Sequence, residues 1–302
     1  MINSNNQLVD KINGIRITIK REDLIDDYFS GNKLRKLKYN LQKAKDLGLD
    51  KIITFGGPFS NHLYATALLT NKLNIPSVGF IRGEELKNNE KNNHTLSICK
   101  MNGMDLKFIS RSSYKHKESS FEVKSYLKNN NNVLIIPEGG SNELGIKGCK
   151  EILNEIDLSF DAICCPIGTG GTITGIIECS KKNQTIIGFP SLMNQSLKKN
   201  IRNMTKKSNW IIQNDYIFGG YAKVSEELVD FINNFYKKYK ILLDPIYTGK
   251  MLFGIFDLIK KNKWNWGKNI LIIHTGGQQG IIGMNQKLFS KGKLIINFPE
   301  NY

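Results

Sequence analysis

Short runs of apolar, largely β-branched residues alternate along the chain with longer stretches whose apolar positions recur every three or four residues. The first kind predicts strands and the second amphipathic helices; their alternation is the pattern of parallel strands joined by crossover helices. Strands are expected at 15–20, 51–55, 75–81, 105–110, 132–137, 161–166, 185–190, 210–213 and 270–274, and helices near 33–48, 61–73, 117–128, 143–155, 172–182, 225–238 and 249–262. The strands form two clusters, 51–137 and 161–274, so a two-lobed α/β fold with open, mostly parallel sheets flanked by helices is expected. We assign 1–45 and 143–302 to a large domain and 46–142 to a smaller one. No repeat of fixed period appears, and the asparagine run at 129–132 reads as a turn.

Glycine-rich turns follow four of the strands: "GGPFSN" after 51–55, "EGGSN" after 132–137, "GTGGT" after 161–166 and "TGGQQG" after 270–274. In an open parallel sheet such turns gather at the carboxyl ends of the strands, where ligands bind. Any one of them is an ordinary tight turn; four together point to a site.

Charge changes this picture little. The 302 residues carry 43 basic and 27 acidic side chains, a formal charge of +16, which raises nucleic acid or an anionic membrane surface as partners. Only six of the basic residues are Arg, the preferred residue for bidentate phosphate and base contacts, and the lysines are scattered along the chain. A solvated, lysine-decorated surface is the expectation, with a basic nucleic-acid-binding protein as the alternative of another class. Cys99, Cys149, Cys164, Cys165 and Cys179 show no C-x-x-C spacing, so neither a disulfide framework nor a zinc site is suggested, and His94, His116 and His274 have no metal-ligand spacing. We expect no metal. The N-terminal residues lack a hydrophobic signal region and no apolar run approaches the roughly 18 residues of a membrane span, so a cytoplasmic, reducing location is expected.

Candidate chemistry begins in "FSGNKLRKLKYN", residues 29–40. Leu34, Leu37, Leu41, Ala44 and Leu47 build one buried helical stripe, while Lys36, Lys43 and Lys45 fall away from it and read as solvated charges. Lys33 opens the helix directly after Gly31 and Asn32, which can aim it into a cleft. A lysine that is partly desolvated there has an accessible neutral amine, suited to imine formation; the plain alternative is a surface lysine. In "CCPIGTGGTITGI", Gly168, Gly170 and Gly171 interleave with Thr169 and Thr172 between a strand and a helix, leaving backbone N–H groups to surround a phosphate. No Lys follows the glycines as in a nucleoside-triphosphate loop, and Ile173 breaks the dinucleotide spacing G-x-G-x-x-G. A phosphate cradle without nucleotide signatures, paired with an activatable lysine, points to pyridoxal 5′-phosphate.

The motifs "KREDL", "SGNKLRKLKYN", "TFGGPFSNHLYATA", "IPEGGSNELGIKG", "IGTGGTITGI", "FGGYAKV", "LLDPIYTGKM" and "IHTGGQQGIIGM", in that order, resemble those of the pyridoxal-phosphate enzymes grouped as 1-aminocyclopropane-1-carboxylate (ACC) deaminase and D-cysteine desulfhydrase, of the tryptophan synthase β-like fold (fold type II). The resemblance runs nearly end to end. It implies that Lys33 bonds the cofactor, that Asn61 lies beside the cofactor ring, and that Gly168, Thr169, Gly170, Gly171 and Thr172 hold its phosphate. It further implies that Ser60, Asn61 and His62 hold a substrate carboxylate, with Ser60 assisting proton chemistry, and that Tyr221 and Tyr247 face the substrate as catalytic groups. Read alone, Ser60 is a plain N-cap and the two tyrosines are core aromatics with tethered hydroxyls. A homodimer acting on a small amino acid is the family-like expectation.

ACC-deaminase-like members carry Glu in "DP-x-Y-E-G-K" and Leu before the last glycine pair. This chain has Thr248 and Thr275 there, the pattern of desulfhydrase-like members. Thr275 is then the candidate hydroxyl near the ring nitrogen and Thr248 a substrate contact. The implied reaction is α,β-elimination, D-cysteine giving pyruvate, ammonia and sulfide, with ACC deamination as the alternative. Phe59, where many relatives have Gln, is a departure that touches the carboxylate or thiol pocket.

Overall fold

The computed structural model describes residues 3–26, 31–88 and 93–299, so Phe29 and Ser30 of the opening lysine motif lie outside the described residues. The chain runs β1 (Asn6–Ile12), β2 (Ile15–Lys20), α1 (Asn32–Asp46), β3 (Lys51–Gly56), α2 (Asn61–Lys72), β4 (Ser77–Arg82), α3 (His94–Met101), β5 (Met104–Ile109), α4 (Arg111–Lys115), α5 (Phe121–Lys128) and β6 (Val133–Ile136). It continues with α6 (Glu143–Cys149), β7 (Ala162–Ile167), α7 (Gly171–Cys179), β8 (Thr185–Pro190), α8 (Leu197–Met204), β9 (Trp210–Ile212), α9 (Glu226–Tyr239), α10 (Thr248–Lys260), β10 (Asn269–Ile273) and α11 (Gly280–Phe289).

Two sheets result, ordered β1-β2-β10-β7-β8-β9 and β5-β4-β3-β6, and every pairing is parallel except the β1–β2 hairpin. The α/β architecture expected from the alternation is therefore present. Period-two alternation sorts the strand residues between two cores. Ala162 and Cys164 of β7 and Ile270 and Ile272 of β10 enter the core shared with α9 and α10, whereas Ile163, Cys165, Leu271 and Ile273 enter the core under α7 and α8. Both faces of these strands are buried, which is why they read as continuous apolar runs. In the small sheet, Ile52 and Ile136 meet Leu37, Leu41 and Ala44 of α1, so the apolar stripe of the lysine-rich helix packs against the lobe that follows it.

Several elements depart from expectation. β1 was not anticipated: it is an edge strand with a half-exposed alternation and a bulge between Leu8 and Asp10, and so lacks a strong apolar run. Helices α3, α4, α8 and α11 were also missed, α4 being only five residues and α3 and α8 eight each. The helix expected over 117–128 begins at Phe121, because Ser120 caps there by accepting from the Val123 amide.

The lysine surface also has exceptions. Lys20 is buried and pairs with Asp157 at 2.7 Å. Within the opening stretch, Arg35 is buried in a bidentate pair with Glu22 (2.9 and 2.8 Å), while Lys38 bonds Glu151 nearer the surface. Lys43 and Lys45 are exposed as expected, but Lys36 is buried. The five cysteines are free, and burial raises every thiol above its ordinary pKa. Among the described residues no helix is long and apolar enough to cross a membrane, and no cluster suits a metal ion.

Candidate active site

The carboxyl ends of both sheets open onto one cavity of about 630 Å³. Residues following β3, β4, β6, β7, β8 and β10 line it, so all four glycine-rich turns contribute.

Its floor is set by the start of α1. Gly31, at φ 94°, lies so close to the 275 turn that a Cβ there would sit 2.0 Å from the Thr275 carbonyl oxygen. The Asn32 amide donates to that carbonyl at 3.2 Å, and the Asn32 side chain donates to Thr172 Oγ1 at 2.7 Å. One residue therefore ties the start of α1 to both β10's turn and the start of α7. Lys33 follows directly and lines the cavity, its Nζ donating to Asn32 Oδ1 at 3.0 Å. Burial, with the neighbouring Lys36 charge adding to it, draws the Lys33 pKa from 10.5 down to about 7. A substantial share of this amine is thus neutral near pH 7.

The loop between β7 and α7 forms a second wall. Gly170 is left-handed at φ 95°, and a Cβ on Gly171 would meet Ser141 Oγ at 2.7 Å and Lys36 Nζ at 3.2 Å. Only glycine leaves the hollow at this helix N-terminus open. Gly168, Thr169 and Thr172 line the same hollow, with the Thr169 hydroxyl bonded to that of Ser141. Lys36, expected in solvent, instead enters here: its Nζ donates to the Gly139 carbonyl (2.9 Å) and Ser141 Oγ (3.0 Å) and has no carboxylate partner among the described residues. The correction has a geometric cause. Lys36 stands one residue before Leu37, on the flank of α1 turned to the cavity, where the 139–141 turn comes within reach of its Nζ. Open amides, a helix N-terminus and a buried, uncompensated ammonium fit a phosphate, and Lys33 beside them fits an aldehyde.

On the small-sheet side, Ser60 caps α2 by accepting from the Leu63 amide at 3.2 Å while also lining the cavity. Asn61 lines it too, its Oδ1 accepting from Gln279 at 2.9 Å. His62 is buried, with Nε2 bonded to the Thr54 hydroxyl at 2.8 Å and Nδ1 without a partner among the described residues. Burial, then the charges of Lys33 and Lys36, holds its pKa well below 6.5, so the ring is neutral. Tyr221 and Tyr247 pack edge to face, centroids 6.3 Å apart, at the cavity wall. Burial raises both phenols, and the interaction between their hydroxyls lowers Tyr221 while raising Tyr247. Thr275 lines the cavity as well.

Thr248 is the exception. It is fully buried outside the cavity, donating to Asp244 Oδ2 at 2.7 Å. Asp244 also accepts from the amides of residues 246, 247 and 248, so this threonine closes the turn that presents Tyr247 rather than touching a substrate. Phe59 likewise stands away from the cavity, its ring against Gly283 of α11. Sequence reasoning missed Lys36, Asn32 and Ser141; the signal available was their position beside the two glycine motifs.

A partly buried lysine beside a glycine-lined hollow, between two mostly parallel sheets, is the arrangement of a fold type II pyridoxal-phosphate enzyme. Residues 5–276 match the family described as pyridoxal-phosphate dependent enzyme, and the chain belongs to it. It is 32% identical over 298 residues to a putative ACC deaminase of Pyrococcus abyssi, covering 91% of this chain and 88% of that one. It is 31% identical over 315 residues to the mitochondrial bifunctional D-cysteine desulfhydrase/ACC deaminase of Arabidopsis thaliana, covering 95% and 78%. A crystal structure of an ACC deaminase homologue superposes with a TM-score of 0.82 at 29% identity, over 95% of this chain and 93% of that one.

Proposed function

We propose that this protein catalyses α,β-elimination on a small β-substituted amino acid, D-cysteine being the first candidate, to give pyruvate, ammonia and hydrogen sulfide. One observation carries the choice of reaction. Among the described residues, the only carboxylates lining the cavity are Glu118 and Glu138, both on the small-sheet side; the wall around Thr275 has a hydroxyl and no acid. Bound pyridoxal phosphate supplies an electron sink for the α-carbon, and a sink not deepened by a neighbouring acid favours expulsion of a β-leaving group.

The chain's residues divide the remaining work. The α2 N-terminus offers the amides of Asn61 and His62, with the Ser60 hydroxyl beside them, to the substrate carboxylate, the Ser60 amide being bonded to the Gly57 carbonyl. Lys33, a substantial share of which is neutral near pH 7, takes the α-proton as general base. The hydroxyls of Tyr221 and Tyr247, at the cavity wall, are the proton donors proposed for the departing thiolate. The Cα–H and Cβ–S bonds break, sulfide leaves, and one water hydrolyses the released enamine to pyruvate and ammonia. Gly168 to Thr172, with Lys36, hold the cofactor phosphate, and with 46–142 as a smaller domain the substrate would bind between the two sheets.

ACC deamination is the second reading, favoured by the names of the similar archaeal and plant proteins. A panel of D- and L-amino acids with β-leaving groups, assayed for pyruvate alongside ACC assayed for 2-oxobutyrate, separates the two. Pyruvate from D-cysteine without 2-oxobutyrate from ACC is expected; robust 2-oxobutyrate would reverse the assignment.

A further inference from the structure

Lys250, in the first turn of α10, lies outside the cavity, is 2% exposed and forms no ion pair among the described residues. Its three N–H donors meet three backbone carbonyls instead: Gly220 at 2.7 Å, Ile217 at 2.8 Å and Ser191 at 3.2 Å. Burial lowers its pKa from 10.5 to about 8, the Asp244 charge countering part of the fall, so the ammonium predominates at pH 7. A buried cation without a carboxylate partner, at the positive end of a helix, is costly, and the carbonyls it reaches are what offset that cost. Those carbonyls belong to segments that carry the site. Ile217 and Gly220 directly precede Tyr221, in a stretch where Phe218 and Ala222 hold positive φ (51° and 54°), a backbone state that residues with side chains rarely adopt and that persists only where the surroundings hold it. Within this stretch the Gly220 amide donates to the Ile217 carbonyl at 3.0 Å and the Lys223 amide to the Gly220 carbonyl at 3.3 Å, so both carbonyls are shared between the turn and Lys250. Ser191 follows β8, next to Leu192 of the cavity wall, and Tyr247, against which Tyr221 packs, stands three residues before Lys250.

We propose that Lys250 is a positioning residue for Tyr221: its ammonium clamps the 217–220 turn to α10 and to the end of β8, and so fixes the Tyr221 hydroxyl beside Tyr247 for the departing group. This rests on the reading of Tyr221 as a proton donor in the elimination. Lys250 itself touches neither substrate nor cofactor; it acts through the backbone on either side of one turn.

The test uses holoenzyme with D-cysteine, whose thiolate needs a proton, and 3-chloro-D-alanine, whose chloride leaves without one. Lys250→Met is expected to lower kcat on D-cysteine by about 10- to 100-fold, the scale of displacing a reacting group by about 1 Å, and on 3-chloro-D-alanine by less than about threefold. Hydrogen exchange of the holoenzyme, read by mass spectrometry, should quicken about tenfold or more in peptides spanning 217–223, while those of β7 and α7 keep their wild-type rates. Adding Lys250→Met to Tyr221→Phe should change kcat on D-cysteine by less than about threefold, because the two substitutions remove the same contribution. Losses that multiply in the double variant, equal losses on the two substrates, or unchanged exchange at 217–223 would each overturn the proposal. Should Lys250→Met not fold, Lys250→Gln, which keeps N–H donors without the charge, is read in the same way. Absence of pyruvate from both compounds with wild-type enzyme would overturn the elimination reading, and wild-type turnover of D-cysteine by Tyr221→Phe would remove Tyr221 as its proton donor. In either case Lys250 is judged by exchange alone: quickening at 217–223 supports the clamp, and wild-type rates remove it.

Discussion

The end of the cavity proposed to hold the phosphate and the end proposed to face the substrate's side chain are built from different materials. At the first, backbone amides, three glycines and a buried lysine are locked by hydrogen bonds that join α1, α7 and the turn after β6. At the second, Tyr221, Tyr247, Arg82 and Lys117 stand as side chains on separate loops and strand ends, and Tyr221 is 38% exposed. A backbone grip accepts one shape and tolerates no added atoms, whereas a side-chain wall is altered by single substitutions without disturbing the frame. The lesson is that cofactor identity and substrate identity are written in physically separate parts of one cavity.

Substitutions can break that separation. The largest effect is expected where the two ends meet: Lys33→Ala should cost at least about 1000-fold in turnover, the scale of losing a positioned base, and abolish borohydride fixation of cofactor to the chain as read by mass spectrometry. Turnover within tenfold of wild type would remove Lys33 from the chemistry. Lys36→Met comes next, with cofactor affinity falling about 10- to 100-fold by equilibrium dialysis, since a charged hydrogen bond to phosphate is lost. Its kcat at saturating cofactor should change much less. Tyr247→Phe should show the converse, about tenfold lower kcat with cofactor affinity intact; a change confined to cofactor binding would move this tyrosine to the other end.

A pH experiment sharpens the same contrast. In its proposed role Lys33 would bond the cofactor only as the free amine, and burial lowers its pKa from 10.5 to about 7. Cofactor capture by apoprotein, followed by stopped-flow absorbance, should rise through pH 7 and level off above pH 8; a rise centred near 10 would mean the lysine is not desolvated. Between these two pKa values the unfolded chain binds the extra proton, so this group's contribution to apoprotein stability grows as pH increases. The smallest expected effect is Asn32→Ala, about 1 kcal/mol of stability by chemical denaturation from the lost bond to Thr172.

Most of the frame was legible from periodicity, and the reason differs by element. β7 and β10 are buried on both faces, so their apolar runs were unmistakable. The short helices α3 and α8 carry too few turns for a period to emerge from eight residues. In the site, Lys33, Asn61, Tyr221 and Tyr247 were found through motifs and do converge on one cavity. Lys36 was misread because a buried charge facing a polar hollow has the same spacing as a solvated one; only the tertiary approach of the 139–141 and 171 turns distinguishes them. Thr248 was misread for the opposite reason: it sits in a motif that reaches the site, but its own hydroxyl is consumed by Asp244 four residues earlier.

β10 enters its sheet between β2 and β7, so the first strands of the chain border one of the last. Asn269 lies opposite Arg16. During synthesis the opening hairpin and Lys33 leave the ribosome long before the neighbour that completes their layer, and they wait unfinished beside a small lobe whose four strands are already all made. Vitamin capture is thus expected only once residues 269–273 have been made and have taken their place between β2 and β7.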